Sequence, residues 1–123
     1  MSTASARVLA MIQGWNDRDI DAILACFAED AIYHNMPMEP VQGKDDIRAA
    51  INGFVAGASA IRWDMIQIAE NASGVVLTER LDKFQMGDQW IEVPVMGAFE
   101  VRDDRIVAWR DYFDLAGFQA QIE

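Results

Sequence analysis

The sequence WRDYFD, residues 109–114, indicates that the second half of the chain forms β-strands. It also places a carboxylate between aromatic residues. Its side chains alternate as in a β-strand, so Trp109, Asp111 and Phe113 should lie on the same face. An aromatic face of this kind is expected to be buried, and a buried carboxylate is costly unless it is paired or hydrogen-bonded. Asp111 is therefore a candidate functional residue.

The residues around this stretch predict an α+β fold. Strands are expected at about 61–69, 74–86, 90–101 and 106–114, with a short one at 31–36. The first half has helical periodicity, with apolar stripes at Val8, Leu9, Ile12 and Trp15 and at Ile20, Ile23, Leu24 and Phe27. A third helix is predicted after Gly43, and a short helix or tail ends the chain. Helices followed by antiparallel strands suggest helices packed on one face of a curved sheet.

Two more segments place polar groups at same-face spacing. In VVLTERLDKFQM, residues 75–86, Arg80 and Asp82 share the face of the apolar Phe84, and Tyr33 and Asn35 form a similar pair in IYHNM. Taken alone, an Arg-x-Asp pair on a strand is usually a surface salt bridge. If these residues meet Asp111 in an apolar pocket, two carboxylates beside one arginine should share a proton and provide an acid and a base together.

Composition excludes several classes of function. The 123 residues are 52% hydrophobic and fit a single globular domain over 1–123. A net charge of −10 disfavours nucleic acid and anionic membrane as partners. The sequence has no signal-peptide pattern and no apolar run near 20 residues, so a cytoplasmic location is expected. No phosphate loop, dinucleotide fingerprint or metal-binding motif is present, so neither a cofactor nor a metal is expected.

Together these segments resemble the limonene-1,2-epoxide hydrolase family. The resemblance runs from about Val8 to Phe118 and rests on CFAEDAIYHNMP, GKDDIRAAINGF, TERLDKF, VMGAFEV and WRDYFD, in that order. It implies a fold similar to nuclear transport factor 2, also called SnoaL-like: a cone-shaped, strongly curved mixed sheet with helices packed on it, enclosing a deep pocket. The implied activity is one-step addition of water to an apolar epoxide, giving a vicinal diol without a covalent intermediate.

The resemblance also implies a role for each polar residue. Asp111 matches the carboxylate that activates water, and Tyr33 and Asn35 match the residues that hold that water. Asp82 matches the acid that protonates the epoxide oxygen, and Arg80 matches the residue that bridges the two carboxylates.

The surroundings of the site can be predicted less directly. Strand alternation places Phe84 and Phe113 beside the catalytic candidates, and Trp63, Val93 and Val95 are further candidate pocket walls. The resemblance implies a homodimer formed through the sheet. By strand alternation, three apolar residues should lie on the face of the sheet opposite to the catalytic residues and supply the dimer surface. They are Leu77, Leu81 and Ile106.

Two alternative functions use the same fold class. An isomerase similar to ketosteroid isomerase would use an Asp base with a Tyr and a protonated acid, although such a pocket does not place a cation between its carboxylates. A non-catalytic small-molecule-binding module is the other alternative, although a carrier has no use for a buried charge cluster. Incubation with epoxides in labelled water would distinguish the three.

Overall fold

The computed structural model describes residues 3–122 and shows four helices and six strands within them. The helices are α1 (Thr3–Asn16), α2 (Ile20–Leu24), α3 (Lys44–Ala56) and α4 (Leu115–Ile122). The strands are β1 (Phe27–Asn35), β2 (Val41–Gln42), β3 (Ala60–Glu70), β4 (Val75–Met86), β5 (Gln89–Arg102) and β6 (Arg105–Tyr112). The ends of the predicted 1–123 domain, residues 1, 2 and 123, lie outside the described residues.

The six strands form one mixed sheet in the order β2-β1-β6-β5-β4-β3. Strands β3 to β6 are antiparallel neighbours in chain order, whereas β1 lies parallel to β6. Two-residue turns join the hairpins at Gly87-Asp88 and Asp103-Asp104. Both aspartates of the second turn have positive φ, as a type I′ turn requires. Because β1 and β6 are parallel neighbours, residues 33–35 lie beside residues 109–111.

The helices cover one face of the sheet and close a core of aliphatic side chains around a cluster of aromatic rings. Trp109 is fully buried at its centre, where its ring contacts the rings of Trp15, Phe27, Tyr33 and Phe99. Helix α3 adds Ile47, Ile51 and Val55, which follow the helical period, and its acidic first turn suits the positive end of the helix dipole. No helix within residues 3–122 is long and apolar enough to cross a membrane.

The structure corrects two local predictions from the sequence. Helix α2 ends at Leu24, and β1 begins at Phe27 rather than at residue 31. Ile106 was expected on the outer face, but it is fully buried. The pairing of β5 with β6 shifts between Glu100 and Val101, which leaves Val107 as an extra residue on β6. This bulge reverses the alternation, so that both Ile106 and Trp109 point into the core.

Candidate active site

Three neighbouring strands bring the predicted charged residues together. Arg80 and Asp82 are on β4 and Asp111 is on β6, with β5 between them. Gly97 of β5 lies opposite Thr78 on one side and Asp111 on the other. A Cβ atom on Gly97 would lie 2.6 Å from Arg80 Nη1 and 2.7 Å from Asp111 Oδ1. The missing side chain therefore leaves the space through which Arg80 reaches Asp111 across β5.

Arg80 uses all five of its N–H groups. Its Nε and Nη2 donate to the two oxygens of Asp82 at 3.0 and 2.9 Å. Its Nη1 and Nη2 donate to the two oxygens of Asp111 at 3.2 and 2.7 Å. The remaining Nη1 hydrogen goes to Thr78 Oγ1 at 3.1 Å, and the Trp63 ring lies 5.0 Å from the guanidinium carbon. The planar guanidinium thus fixes both carboxylates at once, as only arginine can.

Asp111 also accepts a hydrogen bond from the aromatic core. The indole Nε1 of Trp109 donates to Asp111 Oδ1 at 2.7 Å. Asp111 is only 3% exposed. Its carboxylate accepts three hydrogen bonds, two from the Arg80 guanidinium and one from the Trp109 indole. The aromatic face around Asp111 therefore also orients the carboxylate.

The parallel strand β1 places Tyr33 and Asn35 beside this carboxylate. Asn35 is paired in register with Asp111, and Tyr33 with Trp109. The Tyr33 ring stacks on the Trp109 ring with centroids 4.2 Å apart. Asn35 Nδ2 donates to the Tyr33 hydroxyl at 3.1 Å. The two polar groups are thus held as a pair on the same face as Asp111.

Burial sets the protonation states at the site. Desolvation raises the pKa of Asp82 to about 6, against the lowering effect of Arg80 and with a further increase from the charge of Asp111. Desolvation and the charge of Asp111 also raise the pKa of Tyr33, so its phenol stays protonated at neutral pH. Burial opposes ionisation of Arg80, but the two carboxylates outweigh it and raise the arginine pKa. The site therefore holds a fixed cation beside a carboxyl group that titrates near neutrality.

An open pocket with about 390 Å³ of empty space, part of it continuous with solvent, lies over these residues. Asp82, Asp111, Tyr33 and Asn35 line it, whereas the Arg80 side chain is completely buried behind the two carboxylates. All five predicted wall residues also line it; they are Phe84, Phe113, Trp63, Val93 and Val95. The polar groups thus face an otherwise apolar space.

Sequence reasoning missed three wall residues and the supporting roles of three other residues. Trp15, Phe54 and Phe118 line the pocket from helices α1, α3 and α4, and strand alternation has no bearing on helical residues. The supporting residues could have been found, because Thr78 and Trp109 share the parities of Arg80 and Asp111. A glycine in the middle of a strand, as at position 97, also indicates close approach of another group.

The structure offers acid–base chemistry at this site. Arg80 holds two buried carboxyl groups in fixed positions, and burial raises the pKa of one of them, Asp82, to about 6. Within residues 3–122, no group of three or more His, Cys, Asp or Glu side chains could hold a metal ion.

Solved structures with the same architecture confirm the predicted α+β fold. A structure described as an LEH-like epoxide hydrolase of Mycobacterium tuberculosis is 27% identical and superimposes with a TM-score of 0.84, covering 98% of this chain and 92% of that chain. A nuclear transport factor 2-like protein of unknown function from Burkholderia pseudomallei has a TM-score of 0.87 at 18% identity, covering 99% and 98% of the two chains. The predicted nuclear transport factor 2-like class is therefore correct.

Sequence comparison identifies the family. The model of the limonene-1,2-epoxide hydrolase catalytic domain matches residues 2–122. The chain is also 31% identical over 108 residues to the epoxide hydrolase EphG of Mycobacterium tuberculosis, covering 88% of this chain and 71% of that protein. The chain therefore belongs to the limonene-1,2-epoxide hydrolase family and is an epoxide hydrolase-like enzyme.

Proposed function

We propose that this protein adds water to an apolar epoxide, cyclic or aryl-substituted, in a single step that yields a vicinal diol. One observation carries the proposal: Arg80 bridges two buried carboxyl groups at the wall of an apolar pocket, beside the Tyr33–Asn35 pair. In this proposal Asp111 is the base and Asp82 is the acid. The substrate brings its own ring strain, so no covalent enzyme intermediate is needed.

The two carboxyl groups divide the proton transfers between them. As the water oxygen bonds to a ring carbon, that carbon's bond to the epoxide oxygen breaks, and Asp111 takes one proton from the water. Asp82 gives its proton to the departing oxygen, which becomes the second hydroxyl of the diol. The turnover leaves Asp111 protonated and Asp82 charged, and proton exchange with water restores the starting state. Each proton transfer of this kind is typically worth about 10²–10⁴-fold in rate.

The Tyr33–Asn35 pair is suited to hold the attacking water. Asn35 Nδ2 donates to the Tyr33 hydroxyl at 3.1 Å, and the phenol O–H donates to Asn35 Oδ1 at 3.4 Å, which leaves that amide oxygen a second lone pair. The amide oxygen can therefore accept one O–H of a water molecule, which directs the other O–H toward Asp111. Register pairing of Asn35 with Asp111 keeps the two acceptors one strand apart.

A panel of epoxides in ¹⁸O-labelled water tests this function against the alternatives. The proposal expects cyclic and aryl epoxides to give diols with one ¹⁸O atom each. Double-bond migration in a cyclic enone, with no diol from any epoxide, would instead support the isomerase. Saturable binding without turnover would support the carrier. Asp111→Asn is the matched control, because it keeps the shape of the side chain and cannot take up the proton.

We further propose that the protein is a homodimer formed through the outer face of the sheet. Leu77 is about half exposed there, and Met96 and Tyr112 form an exposed cross-strand pair. Leu81 also faces this side and is partly buried. Exposed apolar sheet surface of this kind favours association with a second copy. Light scattering at micromolar concentration should give twice the 13.8 kDa chain mass, and a monomer mass would contradict the proposal.

A further inference from the structure

One N–H of Arg80 is bonded to a residue that lies outside the pocket. Arg80 Nη1 donates to Thr78 Oγ1 at 3.1 Å, and Arg80 is the partner of this hydroxyl within residues 3–122. Thr78 is two residues before Arg80 on β4, so it lies on the same inward face, and it is only 1% exposed. The residues of 3–122 that line the pocket do not include it. Its hydroxyl therefore acts on the site through Arg80 rather than by contact with a bound substrate.

The guanidinium divides its nitrogens unequally between the two carboxylates. Nε and Nη2 donate to Asp82 at 3.0 and 2.9 Å, whereas Nη1 and Nη2 donate to Asp111 at 3.2 and 2.7 Å. Nη1 is thus shared by Asp111 and Thr78 and takes no part in the pairing with Asp82. Its contact with Asp111 is also the longest of the four. A change at Thr78 should therefore weaken the hold on the proposed base and spare the hold on the proposed acid.

Burial makes the threonine oxygen hard to replace. The Arg80 side chain has no exposed surface, so Nη1 cannot turn toward solvent. A buried N–H without an acceptor is costly, and more so when it belongs to a charged group. Without the hydroxyl of Thr78, the rigid guanidinium would have to tilt, and the tilt would alter its contacts with Asp111. The space over Gly97 permits this movement, because Nη1, Asp111 Oδ1 and Thr78 Oγ1 all lie within 2.8 Å of the position that a Cβ atom would occupy.

We propose that Thr78 is a positioning residue for the reaction: its hydroxyl holds Arg80 Nη1 against Asp111, so that the carboxylate keeps the orientation needed to take a proton from water. This role rests on the proposed function, because it concerns the base of the same site. It adds a requirement that the pairing of Arg80 with two carboxylates does not impose. The hydroxyl of Thr78 should be needed for a high kcat, and its methyl group should not.

Substitutions of Thr78 separate the hydroxyl from the methyl group. Thr78→Val replaces the hydroxyl with a methyl group of similar size, and kcat on cyclohexene oxide should fall at least about tenfold, the scale of one hydrogen bond to a charged group. KM should change less than about twofold, because Thr78 does not line the pocket. Thr78→Ala also lacks the hydroxyl and should lose kcat to a similar extent. Thr78→Ser keeps the hydroxyl and should restore kcat to within about threefold of the wild type. A kcat for Thr78→Val as high as that for Thr78→Ser would overturn the proposal.

A double variant tests whether Thr78 acts through Arg80. Arg80→Lys removes the guanidinium, so in that background the hydroxyl of Thr78 has no Nη1 to hold. Adding Thr78→Val to Arg80→Lys should therefore lower kcat by less than about a further twofold. An additional loss of about tenfold would show that the two residues act independently, and it would overturn the proposal.

A ¹⁵N–¹H spectrum of the substrate-free protein gives a readout that needs no turnover. Trp109 Nε1 and Arg80 Nη1 both donate to Asp111 Oδ1, so a weaker Nη1 bond in Thr78→Val should strengthen the indole bond and move the Trp109 indole proton downfield. Trp90, which is exposed, is the internal control and should not move. The Trp109 shift without diol from any epoxide would support the positioning role while the hydrolase fails. Diol formation with wild-type kcat in Thr78→Val and no Trp109 shift would overturn the role and leave the hydrolase intact.

Discussion

Substitution of Gly97 by Ala should damage the site without removing any functional group. The added Cβ would lie 2.6 Å from Arg80 Nη1, 2.7 Å from Asp111 Oδ1 and 2.8 Å from Thr78 Oγ1. Ordinary contacts begin at 3.4 Å, so Nη1 would have to move by about 0.8 Å. Arg80 cannot swing into solvent, because it is completely buried and all five of its N–H groups are bonded. The displacement must therefore spread to Asp111 or to strand β5.

The expected losses follow from this displacement. Overpacking of a close-packed interior typically costs about 1–3 kcal/mol of unfolding free energy. Misplacement of catalytic groups by about 1 Å can cost roughly 10²-fold in rate. We therefore expect Gly97→Ala to unfold at lower urea concentration and to lose about 10²-fold in kcat on cyclohexene oxide.

A second glycine provides the matched control. Gly53 lies inside helix α3, where an added Cβ would meet nothing within 4 Å. Gly53→Ala should retain wild-type kcat and gain about 0.5–1 kcal/mol in stability, because alanine favours the helix. If Gly97→Ala matched the wild type in both urea midpoint and kcat, the close approach of Arg80, Asp111 and Gly97 would not be what organises the site.

The remaining predictions concern the three charged residues. Asp111→Asn and Asp82→Asn should each lower kcat by at least about 10²-fold in steady-state assays, with circular dichroism unchanged; retention of more than about a tenth of kcat would contradict the role assigned to that residue. Because burial raises the pKa of Asp82 to about 6, its acid form is lost as the pH rises through 6, and kcat/KM should fall about tenfold per unit above that value. A pH–rate profile flat from 6 to 8 would contradict Asp82 as the acid. Arg80→Lys keeps the charge but loses the planar fork, so kcat should fall at least about tenfold while the protein stays folded, and near-wild-type kcat would make the fork dispensable.

The alternation of side chains along strands made much of the fold predictable. It gave the four long strands within about one or two residues, and it put Arg80, Asp82 and Asp111 on inward faces. The alternation of side chains every two residues is a local property of a strand, so it holds wherever the strand pairing is regular. The prediction was wrong at Ile106. The bulge at Val107 depends on how β6 pairs with β5, so the sequence of β6 alone does not indicate it.

The parts of the site that depend on long-range packing were not predictable. No local pattern of α1 or α3 shows that Trp15 and Phe54 reach the pocket, because that depends on how the helices cross the sheet. The sequence also does not show that the indole N–H groups of Trp15 and Trp63 lack a hydrogen-bond partner within residues 3–122, since hydrogen-bond satisfaction depends on neighbours from other elements.

The origin of the oxygen added in the first turnover tests the one-step mechanism most directly. Enzyme in excess over cyclohexene oxide is mixed in ¹⁸O-labelled water, and the diol from a single turnover is analysed by mass spectrometry. Direct attack by the water held against Asp111 predicts one ¹⁸O atom in nearly every diol molecule and none in the enzyme. Unlabelled diol from the first turnover, with ¹⁸O appearing in the peptide that contains Asp111, would show that the carboxylate itself attacks the epoxide and would contradict the mechanism.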